Sequence, residues 1–149
     1  MSDVGIVVCE RRKVWAVALR RESARSDLRI VETRTLDDCR QEAQHAPSAL
    51  VVCEATRDRL EAVLRFLVEW QTQPAAPPVA VVGERSMRRH AAALREAGAV
   101  HVMFSPRQLA GVVRMATRHA ARRPAADERS LTQLAWSRLP WQSTTRSNH

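Results

Sequence analysis

Residues 97–106 read AGAVHVMFSP, and this decapeptide contains the end of one helix, a short strand and the start of another helix. Gly98 is the residue type that most often follows the last helical turn, because it adopts left-handed backbone without steric cost. The mostly apolar residues 100–104 then predict a strand. Ser105 and Pro106 are typical of a helix start, with serine as the cap and proline in the first turn.

The same alternation extends through the N-terminal part of the chain. Short apolar runs predict four more strands, at residues 4–9, 28–31, 49–53 and 79–82. Helical spacing and helix-start residues predict a helix after each strand, at residues 12–23, 35–46, 57–71, 86–97 and 106–122. We therefore predict a doubly wound α/β domain with a five-stranded parallel sheet in the order 2-1-3-4-5 and helices on both faces. Its ligand crevice should lie at the carboxyl ends of strands 1 and 3.

The length and composition fit one domain. A chain of 149 residues with 45% hydrophobic residues can bury a core, and we expect this domain at residues 1–123 with a tail at residues 124–149. The apolar runs are too short to span a membrane, and the N-terminal residues lack the features of a secretory signal. These features predict a cytoplasmic protein without a membrane contact.

The net charge of +8 comes from 23 arginines and the single lysine Lys13, set against 16 acidic residues. Such a surface favours acidic partners, whether nucleic acid, anionic lipid or an acidic protein face. Arginine-rich usage can also reflect the base composition of a genome, so the charge alone does not establish a function.

The cysteines and histidines show no pattern of a metal or cofactor site. Cys9, Cys39 and Cys53 are an odd number without a CxxC pair, which favours reduced, buried thiols that pack as small apolar side chains. A redox pair of Cys9 and Cys53 on neighbouring strands is the alternative. The histidines have no metal-ligand spacing, and no phosphate-binding or hydrolase motif is present. We predict no metal and no cofactor.

The order and spacing of these elements resemble the receiver domain of two-component response regulators, over residues 4–122. Receivers have an AGA segment, a fifth strand and a Lys-Pro pair at the spacing of residues 97–106, and here Ser105 stands in place of the lysine. Pro47 and Pro78 also match in position, before strands 3 and 4. The resemblance implies a flavodoxin-like fold and a role in signalling.

The phosphotransfer residues of that family are not retained. Receivers place an acidic pair after strand 1, an aspartate acceptor after strand 3, a hydroxyl residue after strand 4 and a lysine after strand 5. In register, these positions hold Cys9 and Glu10, Cys53 or (with a one-residue shift) Glu54, Gly83, and Ser105. The resemblance therefore implies a degenerate pseudo-receiver that is not an enzyme. Glu54 either imitates a permanently charged acceptor or is a solvated carboxylate at a strand end.

The last two helices of the domain are basic. We predict that they form one positive surface of five arginines, to which the end of the last helix adds Arg122 and Arg123; the five are Arg88, Arg89, Arg107, Arg114 and Arg118. In receivers the face of helix 4, strand 5 and helix 5 serves dimerisation and output contacts, so the resemblance implies binding to a protein partner or to a second copy. An ordinary solvated face is the alternative.

The tail combines polar residues with large apolar ones. These apolar residues are Leu131, Leu134, Trp136, Leu139 and Trp141. Part of this spacing predicts a short amphipathic helix before Pro140, which either docks on its own domain or anchors a partner. The sequence as a whole predicts a non-catalytic regulatory adaptor that binds proteins. The alternative is a basic protein associated with nucleic acid, although a helix-turn-helix pattern and stacking aromatics are missing.

Overall fold

The computed structural model describes residues 4–122, in which five strands alternate with five α-helices. The strands are β1 (Val4–Cys9), β2 (Arg29–Thr33), β3 (Leu50–Ala55), β4 (Val79–Gly83) and β5 (His101–Met103). The helices are α1 (Val14–Glu22), α2 (Leu36–Gln44), α3 (Leu60–Gln71), α4 (Ala91–Ala97) and α5 (Leu109–Ala121). The predicted tail, residues 124–149, and its apolar anchor lie outside the described residues.

All strand pairs are parallel, and the order is β2-β1-β3-β4-β5. This confirms the predicted topology. The register pairs Cys9 of β1 with Thr33 on one side and with Cys53 on the other. The carboxyl ends of β1 and β3 therefore meet at the centre of the sheet, where the crevice was expected.

Two apolar layers cover the sheet, one on each face. On one face α2, α3 and α4 pack against the strands, and the rings of Phe66 and Trp70 stack there with centroids 5.5 Å apart. On the other face α1 and α5 bury Trp15, Leu19 and Val112. Since strands β1, β3 and β4 are buried on both faces, they read as continuous apolar runs in the sequence.

Local signals place the helix ends. Thr35 accepts a hydrogen bond from the backbone N–H of Asp38 at 3.1 Å, as an N-cap should, and Gly98 has a φ of 125° after α4. The predicted helix at residues 86–97 is instead a 3₁₀ turn over Arg85–His90 followed by α4. The tighter turn places the buried Met87 against Gly83 at the end of β4.

Helix α1 faces the sheet with Trp15, Ala16 and Leu19, which are buried, while the side chain of Val14 is exposed. Among the described helices, none is long and apolar enough to cross a bilayer.

Candidate functional site

Glu10 follows β1 directly and caps the next helix. Its side chain is 5% exposed, and its two carboxylate oxygens accept hydrogen bonds from the backbone N–H groups of Trp15 at 3.0 Å and Ala16 at 2.7 Å. A carboxylate is favourable there because the free N–H groups give a helix start a partial positive charge. Both oxygens of Glu10 thus bind the protein's own backbone.

Glu54, near the end of β3, is buried rather than solvated. It is 9% exposed, so the interpretation as a solvated strand-end carboxylate is wrong. Burial raises the pKa of Glu54, and the neighbouring carboxylate of Glu10 acts in the same direction, while a hydrogen bond from the backbone of Arg11 opposes both. Its charged form is therefore less favourable than that of an ordinary glutamate. Whether Glu54 imitates a phosphorylated acceptor stays a prediction.

Local structure explains why glycine stands at position 83 and serine at position 105. A Cβ added to Gly83 would lie 2.9 Å from the carbonyl oxygen of Ala55, so a hydroxyl-bearing side chain does not fit at the end of β4. Ser105 accepts a hydrogen bond from the backbone N–H of Arg107 at 3.3 Å, as the cap of the 3₁₀ turn Pro106–Gln108. The prediction of a helix-capping serine is confirmed.

Three cysteines meet beneath this crevice. Cys9, Cys39 and Cys53 are free thiols with no exposed surface, in the layer between the sheet and helices α2 and α3. The sequence places Cys9 near Cys53 but does not place Cys39 with them. The position of Cys39 depends on how helix α2 packs against the sheet. Arg59, immediately before α3, is 6% exposed, and its Nη2 lies 3.4 Å from the Sγ of Cys9. No feature of the sequence identified Arg59 as a buried residue of the site, since arginines are mostly exposed.

The pKa values of the three thiols are shifted in different directions. Hydrogen bonds from Cys39 and Cys53 lower the pKa of Cys9, burial opposes them, and Arg59 lowers it further through a hydrogen bond and its charge. The same contacts with Cys9, together with burial, raise the pKa values of Cys39 and Cys53. A single negative charge in this cluster therefore belongs on Cys9.

The mouth of the crevice is lined by both acidic and basic side chains. Asp58 accepts a hydrogen bond from the hydroxyl of Thr56 at 2.7 Å and pairs with Arg11 at 2.7 Å, and these contacts lower the pKa of Asp58. Glu54 and Glu84 also line the mouth of the crevice. Positive and negative groups thus alternate around this opening. Within residues 4–122, no group of three or more Cys, His, Asp or Glu side chains is arranged to hold a metal ion.

The predicted basic surface is divided between two ends of the sheet. Arg88 lies over the ring of Phe104 at 6.0 Å, and Arg89 donates to His90, so both are near the carboxyl ends of the strands. Arg107 is in the 3₁₀ turn after β5, at that same end. The expectation of one surface that unites all five arginines is therefore wrong. Helix α5 runs back across the sheet, and this carries its later arginines toward the opposite end.

A groove at that opposite end combines arginines with apolar side chains. We call it the basic groove; it is lined by Pro78, Val100, His101, Gly111, Arg114, Met115, Arg118, His119 and Arg122. Val100, just before the edge strand β5, is 52% exposed. His119 lies 3.1 Å from the carbonyl oxygen of Pro47 through its Nε2, which joins α5 to the start of β3. Of the predicted basic residues, the basic groove unites Arg114, Arg118 and Arg122.

Comparison with known proteins finds solved structures that have a similar fold. No protein-family model matches the sequence, and no curated protein matches it. The fold is similar to that of a CheY-like protein, TadZ, from Pseudomonas aeruginosa PAO1, with a TM-score of 0.63 and 15% sequence identity. The similarity covers 85% of this chain and 99% of that chain. At this identity the likeness concerns the fold, and the chain therefore has a CheY-like, receiver-like α/β fold of the flavodoxin type.

Proposed function

We propose that this chain is a non-catalytic, receiver-like regulatory module that binds an acidic segment of a partner protein in the basic groove. The observation that carries the proposal is the juxtaposition of Arg114 and Arg118 with the exposed Val100 at the open edge of the sheet. Arginines beside apolar side chains are typical of protein interfaces. The module would act in the cytoplasm, in keeping with its three free thiols.

The residues of the crevice support the absence of catalysis. A receiver transfers a phosphoryl group with a metal, an acceptor carboxylate, a hydroxyl and a cation close together. In this chain Glu10 caps α1, the contact between Gly83 and Ala55 leaves no room for a hydroxyl side chain, and Ser105 replaces the cation. These residues support a module that keeps the receiver fold without its chemistry.

The groove also indicates the chemistry of its partner. Within the described residues, none of Arg114, Arg118 and Arg122 forms an ion pair. Guanidinium groups bind carboxylates through two parallel hydrogen bonds, while Met115 and Val100 offer apolar contact between them. A segment with alternating carboxylates and apolar residues fits both. Since the chain itself carries a net charge of +8, a second copy is a poorer occupant than an acidic partner.

The test selects peptides from a random displayed library against the full-length protein. We expect enrichment of Asp and Glu beside apolar residues, and a loss of affinity of about tenfold or more when Arg114→Glu and Arg118→Glu are combined. The matched control combines Arg88→Glu and Arg89→Glu, which changes the charge equally at the other end of the sheet and should leave affinity within about twofold.

Three outcomes would overturn the proposal. Equal loss in both double variants would mean that net charge alone drives binding. Binding of duplex DNA with a steep dependence on salt, abolished by the groove variant, would support the nucleic-acid alternative. A dimer in light scattering that the groove variant converts to a monomer would replace the acidic partner with a second copy.

A further inference from the structure

The cysteine cluster contains a buried positive charge that needs a counter-ion. Arg59 is nearly fully buried, and its guanidinium stays protonated in proteins because its pKa lies above 12. Its Nη2 contacts the Sγ of Cys9 at 3.4 Å and the carbonyl oxygen of Arg34 at 3.5 Å, while its Nη1 is buried without a hydrogen-bond partner. None of the ion pairs among residues 4–122 includes Arg59. A buried, unpaired guanidinium is strongly unfavourable, so an anion is required in contact with it.

Cys9 is the group that can supply this anion. Its sulfur accepts a hydrogen bond from the Nη2 of Arg59 at 3.4 Å, and the charge of Arg59 and the neighbouring thiols of Cys39 and Cys53 lower the pKa of Cys9. Of the nearby carboxylates, Glu10 caps α1, and Glu54 interacts with the charge of Arg59 but forms no ion pair with it among the described residues. The cluster thus balances one positive charge with one negative charge on Cys9.

We propose that Cys9 is a thiolate paired with Arg59, and that Cys9 and Cys39 form a site of oxidation by hydrogen peroxide or another small peroxide. In the first step the thiolate attacks one oxygen of the peroxide, the O–O bond breaks, and Cys9 becomes a sulfenic acid as hydroxide leaves. In the second step Cys39 gives its proton to the hydroxide, and its sulfur attacks the Cys9 sulfur. The S–O bond then breaks with release of a second hydroxide. The net products are one disulfide, one water and one hydroxide.

The position of Cys39 favours it over Cys53 as the resolving thiol. Cys53 is the register partner of Cys9 on the adjacent strand, where parallel side chains are poorly oriented for a disulfide. Cys39 lies on the short helix α2, which packs over β1, so its thiol approaches Cys9 from the helix layer and not from a neighbouring strand. Its thiol is also close to Thr33, whose hydroxyl donates a hydrogen bond to the carbonyl oxygen of Val8.

A cleft lies next to residues that flank the two cysteines in the chain. Its lining includes Glu10 and Asp38, which are the chain neighbours of Cys9 and Cys39, as well as Thr33. Because the sulfurs themselves are fully buried, only a reagent close to water in size can reach them through a small local opening. Oxidation removes the thiolate charge and leaves Arg59 without a counter-ion, so the start of α3 should loosen when the disulfide forms.

The first test measures the thiolate directly. The ultraviolet thiolate band of the full-length protein is compared at neutral pH between the folded state and the urea-unfolded state, in which only a few per cent of each thiol is ionised. We expect the folded protein to show the absorption of one thiolate, which disappears on unfolding and in Cys9→Ser. Equal absorption of the folded and unfolded protein would overturn the proposal.

The second test follows peroxide oxidation by intact mass and peptide mapping. The wild type should lose two hydrogen atoms and yield a disulfide between the peptides of Cys9 and Cys39. Cys53→Ser is the matched control and should react like the wild type, whereas Cys39→Ser should stop at a sulfenic acid that dimedone traps on Cys9. Arg59→Gln should slow the reaction by about tenfold or more, and Arg59→Lys should restore much of the rate.

Two results would overturn the assignment. One is a loss of two hydrogen atoms that persists in Cys9→Ser, and the other is a disulfide that maps to Cys53 in the wild type. Circular dichroism accompanies each variant, and if a substitution unfolds the chain, the wild-type absorption and peptide map still decide the outcome.

Discussion

The two ends of the parallel sheet use their charged residues in opposite ways. At the carboxyl ends of β1 and β3, Glu10 binds backbone N–H groups and Arg59 contacts Cys9 inside the protein. At the other end, Arg114 and Arg118 project from α5 into an open groove. The buried charges of the crevice are thus bound within the structure, while the arginines of the basic groove are open to the outside.

The physical reason is the difference in solvation. A buried charge is strongly unfavourable unless it is paired and hydrogen-bonded, so each buried ionisable group of the crevice requires partners from the chain itself. An exposed guanidinium keeps its water and needs no internal partner. Charges at the crevice therefore contribute to folding, and charges in the basic groove are available for binding.

The largest expected effect on stability is at Glu10. Glu10→Ala should lower the free energy of unfolding by about 3 kcal/mol, because two N–H groups of α1 lose a charged acceptor. Urea denaturation measures the loss. Glu61→Ala is the control, since Glu61 is an exposed helix residue paired only with Arg65 and should change stability by less than about 0.5 kcal/mol. Similar losses in both variants would mean that the carboxylate of Glu10 is not a cap.

Two glycines offer the next comparison, one at each end of the sheet. Gly83→Ala should destabilise the protein by about 2 kcal/mol, because its new Cβ would clash with the carbonyl of Ala55. Gly111→Ala, inside α5 at the basic groove, should stabilise it by about 0.5–1 kcal/mol, since its Cβ would meet only Arg114 Nη2 at 4.0 Å. Thermal unfolding of both variants provides the measurement. A stabilising Gly83→Ala would remove the steric argument against a hydroxyl residue at that position.

A smaller effect with a distinct pH dependence is expected at Glu54. Burial raises the pKa of Glu54 in the folded protein, so Glu54 ionises less readily in the folded than in the unfolded chain. The free energy of unfolding should therefore fall as the pH rises through the folded pKa. Glu54→Gln should therefore be more stable than the wild type at neutral pH. The gain should vanish in acid, below the ordinary pKa of a glutamate. A gain that is independent of pH would show that the charge of Glu54 is not its cause.

The last prediction is the absence of an effect. Acetyl phosphate with Mg²⁺ should add no phosphoryl group to the chain, because the hydroxyl and the cation that stabilise charge in the transfer are missing at Gly83 and Ser105. Intact mass spectrometry detects the addition, with a phosphorylatable receiver as the positive control. Phosphorylation of Glu54, or of any crevice residue, would contradict the comparison between the two ends of the sheet.

Much of the architecture could be predicted from the sequence because its signals are local. Apolar runs predicted the five strands, and Gly98, Ser105 and Thr35 marked helix ends through bonds to residues close in the chain. The strand order followed from the alternation of strands with helices and from the right-handed crossovers that this alternation requires.

The contacts of the site could not be predicted in this way because they join residues far apart in the chain. Arg59 meets Cys9 across 50 positions, and Cys39 approaches the same sulfur only because α2 packs over β1. The burial of Glu54 and the division of the arginines between two ends depend on how the helices cross the sheet. The local periodicity of a sequence does not show how its helices cross the sheet. The environment of each ionisable group is therefore decided only by the packing of the helices against the sheet.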